Sequence, residues 1–409
     1  MARFLVLLII LLAVDIYAFQ AVRTVLGESS AVARRIGHGL YWGLTALALL
    51  AISLNAFELT ENWPKAVRVY TFATIFILYL AKFGIAAFVF IDDLRRLGSF
   101  VYNKVSGPAQ PVDLGRSRFL AQLGLLAGAL PLGLLTYGMI RNPYRYRKFV
   151  DTIRIPDLPA ALDGLKIVQI SDMHSGSWTR SEPLHEAVEM INAEAADLVF
   201  FTGDLVNSES KEMEPYVDIF KQVRGKHGVY SVMGNHDYGD YHDWPSREAK
   251  AADRELFYDL HRRLGWDLLR NENRLLTING EQVGVLGVEN WSASSRFPKK
   301  GDLAAAYAGT ENTPLKILLS HDPTHWDAKV RDGYPDIALT LSGHTHGMQF
   351  GVEIPGFRWS PAQYVYKQWA GLYQAGRQYL YVNRGLGFLG YPGRVGILPE
   401  VTVLRLQKA

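Results

Sequence analysis

The sequence predicts an α/β fold, a four-layer α-β-β-α sandwich of two packed sheets flanked by helices, preceded by an all-α transmembrane region of four helices. The composition changes near residue 140, because the first part consists of apolar runs with few charges and the rest has ordinary globular polarity. Four of the apolar runs have the length of a membrane span. Beyond them, short apolar runs typical of buried strands alternate with amphipathic helices, and further strands follow late in the chain.

The predicted membrane region occupies residues 1–141. Its four apolar stretches are residues 4–22, 39–57, 67–91 and 119–140. The first stretch could instead be a cleaved signal peptide. Its apolar core is long, it lacks a convincing small-x-small cleavage site, and three further spans follow, so a retained helix is favoured. For the other stretches, the alternative is a buried helix of a soluble domain, against which their length and lack of charge argue.

Two of the predicted spans contain a charged residue near the middle, Asp15 in the first and Lys82 in the third. A charge at the centre of a bilayer costs about 2.5–3.5 kcal/mol on insertion scales. Both residues lie a similar distance from the start of their span, so they are expected at similar depth and could pair. The alternative, that each faces a polar gap or reaches the interface independently, is equally consistent with the sequence.

The distribution of basic residues predicts the orientation in the membrane. The loops after the first and third spans contain Arg23, Arg34, Arg35, Arg95, Arg96, Lys104, Arg116 and Arg118, and the opposite side contains Arg3, Lys65, Arg68, Arg141, Arg145, Arg147 and Lys148. By the positive-inside rule this narrow balance favours a cytoplasmic location for the first group. Residues 115–120 also resemble a degenerate twin-arginine export motif, in which Ser117 separates the two arginines. The sequence therefore predicts an integral membrane protein of a bacterial inner or plasma membrane, with the later domain outside the cytoplasm.

Residues 142–160 are predicted to form a juxtamembrane tether, and residues 161–409 the globular domain. Tyr144 and Tyr146 lie among the basic residues after the fourth span and suit the headgroup level of a bilayer. The expected elements beyond them are an edge strand at residues 154–159, amphipathic helices at residues 181–194 and around Leu256, Leu260 and Leu264, and late strands at residues 379–387 and 400–404.

Residues that commonly bind metals follow five apolar runs typical of buried strands. The runs are residues 166–170, 198–201, 229–233, 317–319 and 337–341. The residues that follow them are Asp172, His174, Asp204, Asn235, His236, Asp237, His321, His344 and His346. Because side chains just past the C-terminal ends of core strands converge on one edge of a sheet, we expect these residues to form a single site.

The residue types at this predicted site indicate metal-assisted hydrolysis. Imidazole, carboxylate and amide oxygen together suit Mn, Fe, Zn or similar divalent ions. A carboxylate between two sets of ligands can bridge two ions, which would lie about 3.5–4 Å apart, bind a phosphate and activate a water molecule. The chain contains no cysteine, which excludes a structural zinc site built from thiolates.

The region from about Lys166 to Leu404 resembles the calcineurin-like metallophosphoesterases, in particular their membrane-anchored bacterial branch. The family pattern D-x-H, G-D, G-N-H-[DE], H, G-H-x-H is present in order, with no ligand missing. In that family this pattern holds a binuclear metal centre, so the resemblance implies two divalent ions, Mn, Fe, Zn or a mixture. The other six histidines of the chain match no ligand position and are interpreted as surface or packing residues.

The resemblance also implies a role for each residue of the pattern. The first ion would be bound by Asp172, His174 and His346, and the second by Asn235, His321 and His344, with Asp204 bridging the two. His236 would protonate the leaving oxygen or stabilise the phosphoryl charge. Asp237 would orient His236 by accepting its other ring proton.

The segment after His346 gives weaker indications of the substrate. It is rich in aromatic residues and glycine, a composition that packing explains best and that an apolar rim in contact with lipid explains second. Met348 stands where the membrane-anchored branch usually has the second glycine of Gly-His-Thr-His-Gly-Gly-Gln. Arg384 and Arg394 could hold a phosphate oxygen or lie on the surface.

The sequence as a whole predicts a membrane-anchored enzyme with two metal ions. It would hydrolyse a phosphate mono- or diester or a pyrophosphate, expected in a lipid or envelope-associated substrate, by attack of a metal-bridging hydroxide. The expected partners are a phosphorylated small molecule or lipid and the membrane; a net charge of +3 gives no reason to expect nucleic acid. The alternatives are a catalytically weak membrane sensor or scaffold that retains the hydrolase fold, which the complete pattern opposes, and a transporter, for which four spans are few.

Overall fold

The computed structural model describes residues 2–106 and 114–409, and the chain divides into two units, residues 1–138 and 139–409. Residue 1 and residues 107–113 of the predicted membrane region lie outside the described residues. The long helices are α1 (Ala2–Leu26), α2 (Ala31–Ala56), α3 (Lys65–Ser106) and α4 (Leu114–Arg141). Each corresponds to one predicted span, although Phe57 at the end of the second span lies just beyond α2, and each is long and apolar enough to cross a membrane. The chain is therefore a membrane protein.

Helix α3 is longer than the predicted span of residues 67–91. Its 42 residues extend about 63 Å at 1.5 Å per residue, twice the thickness of the hydrocarbon core. The additional turns contain charged residues, and Arg95 donates to Asp92 within the same helix at 3.0 Å. The apolar pattern identified the part of the helix that can lie in lipid, and the polar turns continue the same helix beyond it.

Asp15 and Lys82 form a buried ion pair between α1 and α3, as the sequence suggested. Thr45 of α2 donates its hydroxyl to Asp15 at 2.9 Å and accepts from Lys82 at 2.8 Å. The Tyr79 hydroxyl donates to the second Asp15 oxygen at 2.9 Å, and the Tyr41 hydroxyl donates to the Asp15 carbonyl at 2.7 Å. This network connects α1, α2 and α3 and gives each buried charge a partner, which apolar surroundings require.

The first sheet of the second unit has six strands in the order β1-β14-β2-β3-β4-β5. These are β1 (Arg147–Ile155), β2 (Lys166–Ile170), β3 (Leu198–Phe201), β4 (Val229–Ser231), β5 (Asp267–Leu268) and β14 (Glu400–Lys408). Strands β2 to β5 are mutually parallel, and β14 is antiparallel to β2 and parallel to β1. The ends of β2, β3 and β4 that precede the predicted site therefore lie at one edge.

The second sheet also has six strands, in the order β12-β13-β9-β8-β7-β6. These are β6 (Glu272–Ile278), β7 (Glu281–Gly287), β8 (Leu315–Leu319), β9 (Leu339–Ser342), β12 (Gly371–Ala375) and β13 (Gln378–Val382). Its four central strands are parallel, and β6 and β12 are antiparallel edges. A separate two-stranded hairpin consists of β10 (Val352–Ile354) and β11 (Phe357–Trp359).

The two sheets pack face to face with helices outside, so the predicted four-layer sandwich is confirmed. The alternation along β3 shows why: Leu198 and Phe200 belong to the apolar cluster shared with the second sheet, whereas Val199 and Phe201 face the cluster formed with helices. The shorter helices are α5 (Glu182–Ala193), α6 (Val217–Phe220), α7 (Arg247–Leu264), α8 (Leu303–Tyr307) and α9 (Arg331–Gly333). The first of these coincides with the helix predicted at residues 181–194.

The predicted edge strand lies earlier than the sequence suggested. It was expected at residues 154–159, whereas β1 runs along the whole of β14, from Arg147 opposite Glu400 to Ile155 opposite Lys408. The strand thus occupies nine residues of the segment predicted as a tether. Only its last three residues alternate apolar and charged side chains, with Ile153 and Ile155 buried, so the segment resembles a surface segment until its partner strand is known.

Candidate metal centre

The predicted site residues all follow strand ends at the same edge of the two sheets. Strands β2, β3 and β4 end at Ile170, Phe201 and Ser231, and β8 and β9 of the second sheet end at Leu319 and Ser342. Each end is followed within four residues by a predicted ligand. Parallel strands place such residues together at their carboxyl ends. The site is therefore built from both sheets at once.

Six of these residues form two groups that could each hold a metal ion. The first group is Asp172, His174 and His346, and the second is Asp204, His321 and His344; within each group the ligand atoms lie within 4.8 Å of one another. Five of the six are buried and His344 is partly buried. Buried imidazoles and carboxylates at this spacing match the ligand preference of Mn, Fe and Zn.

Asp204 belongs to the second group and also faces the first. Its Oδ2 is 3.6 Å from His174 Nε2 of the first group and 3.1 Å from His321 Nε2 of the second. The groups are each closely packed as well, since His346 Nε2 lies 3.2 Å from Asp172 Oδ1 and His344 Nδ1 lies 3.3 Å from His321 Nε2. One carboxylate oxygen is thus within reach of both groups.

Asn235 presents a buried oxygen without a hydrogen-bond partner among the described residues. Its amide nitrogen donates to the Tyr241 hydroxyl at 3.0 Å. This hydrogen bond uses the amide nitrogen, and the amide oxygen Oδ1 remains without a partner. A buried polar atom without a partner costs about 1–3 kcal/mol. Such an atom beside two groups of imidazoles and carboxylates is what a cation would bind, so the donor set fits divalent ions.

Five of the six grouped residues have a left-handed backbone. Asp172, His174, Asp204, His344 and His346 have φ between 46° and 71°. This conformation costs non-glycine residues about 1–3 kcal/mol each, and it persists only where the surrounding structure imposes it. Its concentration at one place, together with the donor groups, is typical of a functional site.

Two motif glycines are required by close approach rather than by flexibility. A Cβ at Gly343 would lie 2.1 Å from Asp172 Oδ2, and one at Gly234 would lie 2.1 Å from Asp204 Oδ1. Any larger residue would displace the carboxylates that occupy these positions. The motifs therefore need glycine before His344 and before Asn235, because the backbone at these positions contacts the carboxylates of Asp172 and Asp204.

Comparison with known families agrees with the geometry. Residues 165–348 match the family model described as calcineurin-like phosphoesterase. Residues 2–143 match a model described as a probable calcineurin-like phosphoesterase, transmembrane domain. The chain therefore contains a calcineurin-like phosphoesterase domain. Its phosphoesterase domain is preceded by a transmembrane domain that also occurs in relatives.

Relatives of this phosphoesterase occur in animals and bacteria. A transmembrane protein with metallophosphoesterase domain from Danio rerio is 29% identical over 380 residues, covering 90% of this chain and 81% of the relative. An uncharacterised metallophosphoesterase of Bacillus subtilis is 29% identical, covering 68% of this chain and 94% of the relative. A UDP-2,3-diacylglucosamine pyrophosphatase of Chlamydia muridarum is 26% identical, covering 62% and 86%.

His236 of the phosphoesterase lies beside the two groups but belongs to neither. Its ring centroid is 4.9 Å from that of His174 and 4.4 Å from that of Tyr241. Its Nδ1 is 2.6 Å from the carbonyl oxygen of Asn207, to which it donates, so Nε2 is the ring nitrogen that can exchange a proton. Its backbone N–H also donates to Asp204 at 2.9 Å, which fixes the residue next to the central carboxylate.

The prediction that Asp237 orients His236 is wrong. Among the described residues, the Asp237 carboxylate accepts from four backbone N–H groups, those of Asp204, Leu205, Val206 and Gly234, at 2.8–3.3 Å. The orienting acceptor for His236 is instead the Asn207 carbonyl. Asp237 therefore fixes the two loops that contain Asp204 and Asn235. Every residue has a backbone carbonyl, so no residue type in the sequence indicates which carbonyl accepts from His236.

Neighbouring charges shift the pKa values of the buried groups in the site in opposite directions. Burial would raise the pKa of Asp204, but the neighbouring His321 and His236 outweigh it and lower that pKa well below its usual range. Burial would lower the pKa of His321, but Asp204 raises it to about 10. Burial and the charge of Asp204 raise the pKa of Asp237 to about 7. The central carboxylate is thus charged at neutral pH and ready to bind a cation.

Neither predicted phosphate-binding arginine is available to a substrate. The Arg384 guanidinium is buried and paired with Glu400 and with Glu353, the latter at 2.6 Å. Arg394 is buried too, and it donates to the carbonyls of Gly385 and Gly387. Arg394 Nη2 also lies 3.3 Å from His346 Nδ1. Both arginines therefore stabilise the loop beneath the site, a role that their late, loop-borne positions did not indicate.

Three further contacts around the histidines were not identified from the sequence. The Thr202 carbonyl accepts from His321 Nδ1 at 2.7 Å, and the Tyr366 hydroxyl lies 2.9 Å from His344 Nε2. Asp322 Oδ2 lies 3.5 Å from the same His344 nitrogen. These contacts occupy one ring nitrogen of each histidine. The other nitrogens, Nε2 of His321 and Nδ1 of His344, lie 3.3 Å apart within the second group, as two ligand atoms of one ion would. Asp322 directly follows the predicted ligand His321, and this position in the sequence could have indicated a role for it beside the site.

Proposed function

We propose that the protein hydrolyses a phosphate mono- or diester or a pyrophosphate bond in a lipid or lipid-linked substrate. The observation that supports this most directly is Asp204 Oδ2, which lies within 3.6 Å of imidazole nitrogens from both groups. A carboxylate in this position can bind two ions at once. Two ions on one carboxylate suit the transfer of a phosphoryl group to water.

Two divalent ions fit the donor atoms. The proposed ligands are Asp172, His174 and His346 for one ion, Asn235, His321 and His344 for the other, and Asp204 for both. When bound, such ions neutralise charge on a phosphate and lower the pKa of a coordinated water. The mixed set of imidazole, carboxylate and amide donors accepts Mn, Fe or Zn.

His236 is the proposed proton donor for the leaving oxygen. The hydrogen bond from its Nδ1 to Asn207 selects the tautomer and leaves Nε2 for the substrate. The packing of its ring between His174 and Tyr241 holds that nitrogen beside the donor groups. His236 is thus positioned by contacts on three sides, and none of them involves Asp237.

The proposed substrate class is supported by the membrane helices and by one relative. Four helices that can cross a bilayer keep the domain near the membrane. An enzyme of soluble substrates gains nothing from this location, whereas an enzyme of lipid substrates does. The relative from Chlamydia muridarum has the name of a pyrophosphatase of UDP-2,3-diacylglucosamine, a compound that contains two acyl groups. A phosphate or pyrophosphate group attached to acyl chains is therefore the proposed chemistry.

Purified full-length protein in nanodiscs tests this proposal. The substrates are an aryl phosphate, a bis-aryl phosphate, and vesicles or nanodiscs that contain a pyrophosphate-linked lipid, each with added Mn²⁺ and after chelation. We expect metal-dependent turnover of at least one substrate, with the lipid preferred. Metal binding without turnover of any of the three substrates would contradict the proposal and favour a sensor or scaffold.

The domain is proposed to face away from the cytoplasm. The support is the excess of arginine in the segments that follow the first and third predicted spans over the opposite side. Because the chain contains no cysteine, single cysteines report the side directly. With a membrane-impermeant maleimide on intact cells, we expect labelling of the exposed Lys329→Cys and none of Arg35→Cys. The reverse pattern would place the domain in the cytoplasm.

A further inference from the structure

Exposed apolar side chains of the phosphoesterase domain are concentrated in one segment. Between residues 142 and 409, all of which the structure describes, ten large apolar side chains are exposed, and seven of them lie within residues 348–365. They are Met348, Phe350, Val352, Ile354, Phe357, Tyr364 and Val365, with exposed fractions of 36% to 76%. The other three are Val150, Tyr241 and Leu275. We name residues 348–365 the apolar hairpin, since β10 and β11 lie at its centre.

The apolar hairpin is anchored at its base, and its outward apolar side chains have no cover. Strands β10 and β11 pair only with each other, and a two-stranded hairpin is marginal by itself. Its base is fixed because Ser360 donates to the Gly347 carbonyl at 2.7 Å and Gly351 donates to the Val395 carbonyl at 2.8 Å. The outward apolar side chains contribute nothing to that anchoring, so their exposure calls for another partner.

The hairpin begins and ends at the candidate metal centre. It starts two residues after His346 and is followed directly by Tyr366, whose hydroxyl lies 2.9 Å from His344 Nε2. The Tyr366 ring also packs edge-on against His344, with 5.4 Å between the ring centroids. An apolar surface that is continuous in the chain with two proposed ligands is in a position to guide the apolar part of a substrate.

The charges within the hairpin do not oppose contact with lipid. Residues 348–365 contain two charged side chains, Glu353 and Arg358. Glu353 pairs with Arg384, and the Arg358 guanidinium lies 5.0 Å from the centroid of the Trp369 ring. An arginine of this kind can keep its apolar stem in the interface and its charge among the headgroup phosphates.

The base of the hairpin lies next to the residue at which the chain enters the domain. Asn142, the residue after α4, donates its amide to the Arg394 carbonyl at 2.8 Å. The next residue, Val395, donates to the Gln349 carbonyl and accepts from Gly351, both at 2.8 Å. Only five residues, 142–146, separate α4 from β1. They span less than about 20 Å when fully extended, which limits how far β1 can lie from the end of α4.

We propose that the apolar hairpin inserts into the interfacial layer of the bilayer and brings a lipid phosphate to the metal centre. The bilayer is the occupant because four helices anchor the chain in it, and the hairpin base lies next to Asn142, the first residue after the last of these helices. The catalytic consequence rests on the proposed function, whereas the insertion does not depend on turnover. Insertion also explains why Met348 replaces glycine at a left-handed position, φ 49°, since the strained residue adds an apolar side chain to the surface.

Depth-dependent fluorescence quenching tests the insertion. Ile354→Cys and Phe357→Cys in the cysteine-free full-length chain are labelled with an environment-sensitive dye and reconstituted in nanodiscs that contain spin-labelled phosphatidylcholine. The matched control is Leu275→Cys, an equally exposed apolar residue on strand β6. We expect quenching at residues 354 and 357 and none at residue 275. Equal quenching at the three positions would overturn the proposal. Absence of quenching, together with disulfide cross-linking of two copies through the unlabelled cysteines at residues 354 or 357, would overturn it as well.

An activity comparison tests the role in substrate delivery. Ile354→Ser with Phe357→Ser should lower kcat/KM for a lipid substrate in vesicles by roughly tenfold or more, because two apolar anchors are lost. Turnover of a soluble aryl phosphate should stay within about twofold, and Leu275→Ser should change neither activity. An equal loss on both substrates would overturn the role in delivery. If the wild type hydrolyses nothing, the proposed function fails, and the quenching result still decides insertion.

Discussion

The molecule contains two clusters of buried charge, and they are built in opposite ways. Around Asp15, in the membrane helices, each carboxylate oxygen accepts from a donor of the same cluster, and Lys82 has two acceptors. Around Asp204, in the phosphoesterase domain, like groups face one another, and the Asn235 Oδ1 atom has no partner among the described residues. The first cluster is complete by itself, whereas the second leaves a buried oxygen unsatisfied, as a site for cations would.

Backbone strain separates the two clusters in the same way. Among the described residues up to 138, Glu58 is the one non-glycine residue with a left-handed backbone, and it lies outside the cluster of Asp15. The second cluster has five such residues within its two groups. Stored strain and unsatisfied polar atoms occur together where ligands are to bind, so a buried charge alone does not indicate a site.

The largest expected effect is that of Asp204→Asn. An amide oxygen lacks the negative charge that two cations share on the Asp204 carboxylate, so we expect the loss of bound metal together with nearly all turnover. Elemental analysis and a phosphatase assay on the full-length chain measure both. The exposed Asp218→Asn is the matched control and should retain both properties. A variant that keeps two ions and normal activity would show that Asp204 does not bridge.

His236→Ala should separate turnover from metal binding. We expect both ions to be retained while turnover falls about 10²–10⁴-fold, the usual contribution of a proton donor. The loss should shrink for substrates with a very good leaving group, because they need no proton. His185→Ala, at an exposed position of α5, should be neutral. Loss of the metal together with activity would instead make His236 a ligand.

The complete cluster in the membrane helices should respond differently. Asp15→Leu leaves Lys82 buried without its anion, which costs about 3–5 kcal/mol of unfolding free energy. Adding Lys82→Leu should recover much of that loss, because the unpaired charge is then removed as well. Unfolding of the full-length chain in detergent, as a double-mutant cycle, measures the coupling. Additive losses would show that the pair contributes nothing beyond its separate residues.

The smallest expected effect is that of Met348→Gly. Relief of the left-handed backbone should stabilise the domain by about 1 kcal/mol, since glycine adopts this conformation without strain. Ala195→Gly, at φ 46° and outside the centre, is the matched control and should give a similar gain. Thermal unfolding measures both variants. If only the control gains stability, the Met348 side chain has packing contacts that offset its strain.

The sequence predicted the fold class and the grouping of the site because both depend on local patterns. Each proposed ligand directly follows an apolar strand, so the order of the motifs was enough to place Asp172, Asp204 and His344 together. The pairing of Asp15 with Lys82 could be suggested because a charge in lipid requires a partner.

The contacts that the sequence could not predict depend on residues far apart in the chain or on the backbone. The carbonyl of Asn207 orients His236, although the neighbouring Asp237 was the expected partner. Arg384 is occupied by Glu353 and Glu400, which its own surroundings in the chain do not reveal. The exposure of residues 348–365 depends on the packing of the whole domain, so the aromatic-rich composition alone favours packing in the core or at the surface over an apolar rim.

The metal content of the full-length chain tests the central claim most directly. The protein is purified, loaded with Mn²⁺ or Zn²⁺, passed through a desalting column and analysed for bound metal. The contrast between an open and a complete cluster predicts two ions per chain in the wild type and in Asp15→Leu with Lys82→Leu, and fewer in Asn235→Ala. One ion or none in a fully active wild type, or two ions in Asn235→Ala bound as tightly as in the wild type, would contradict it.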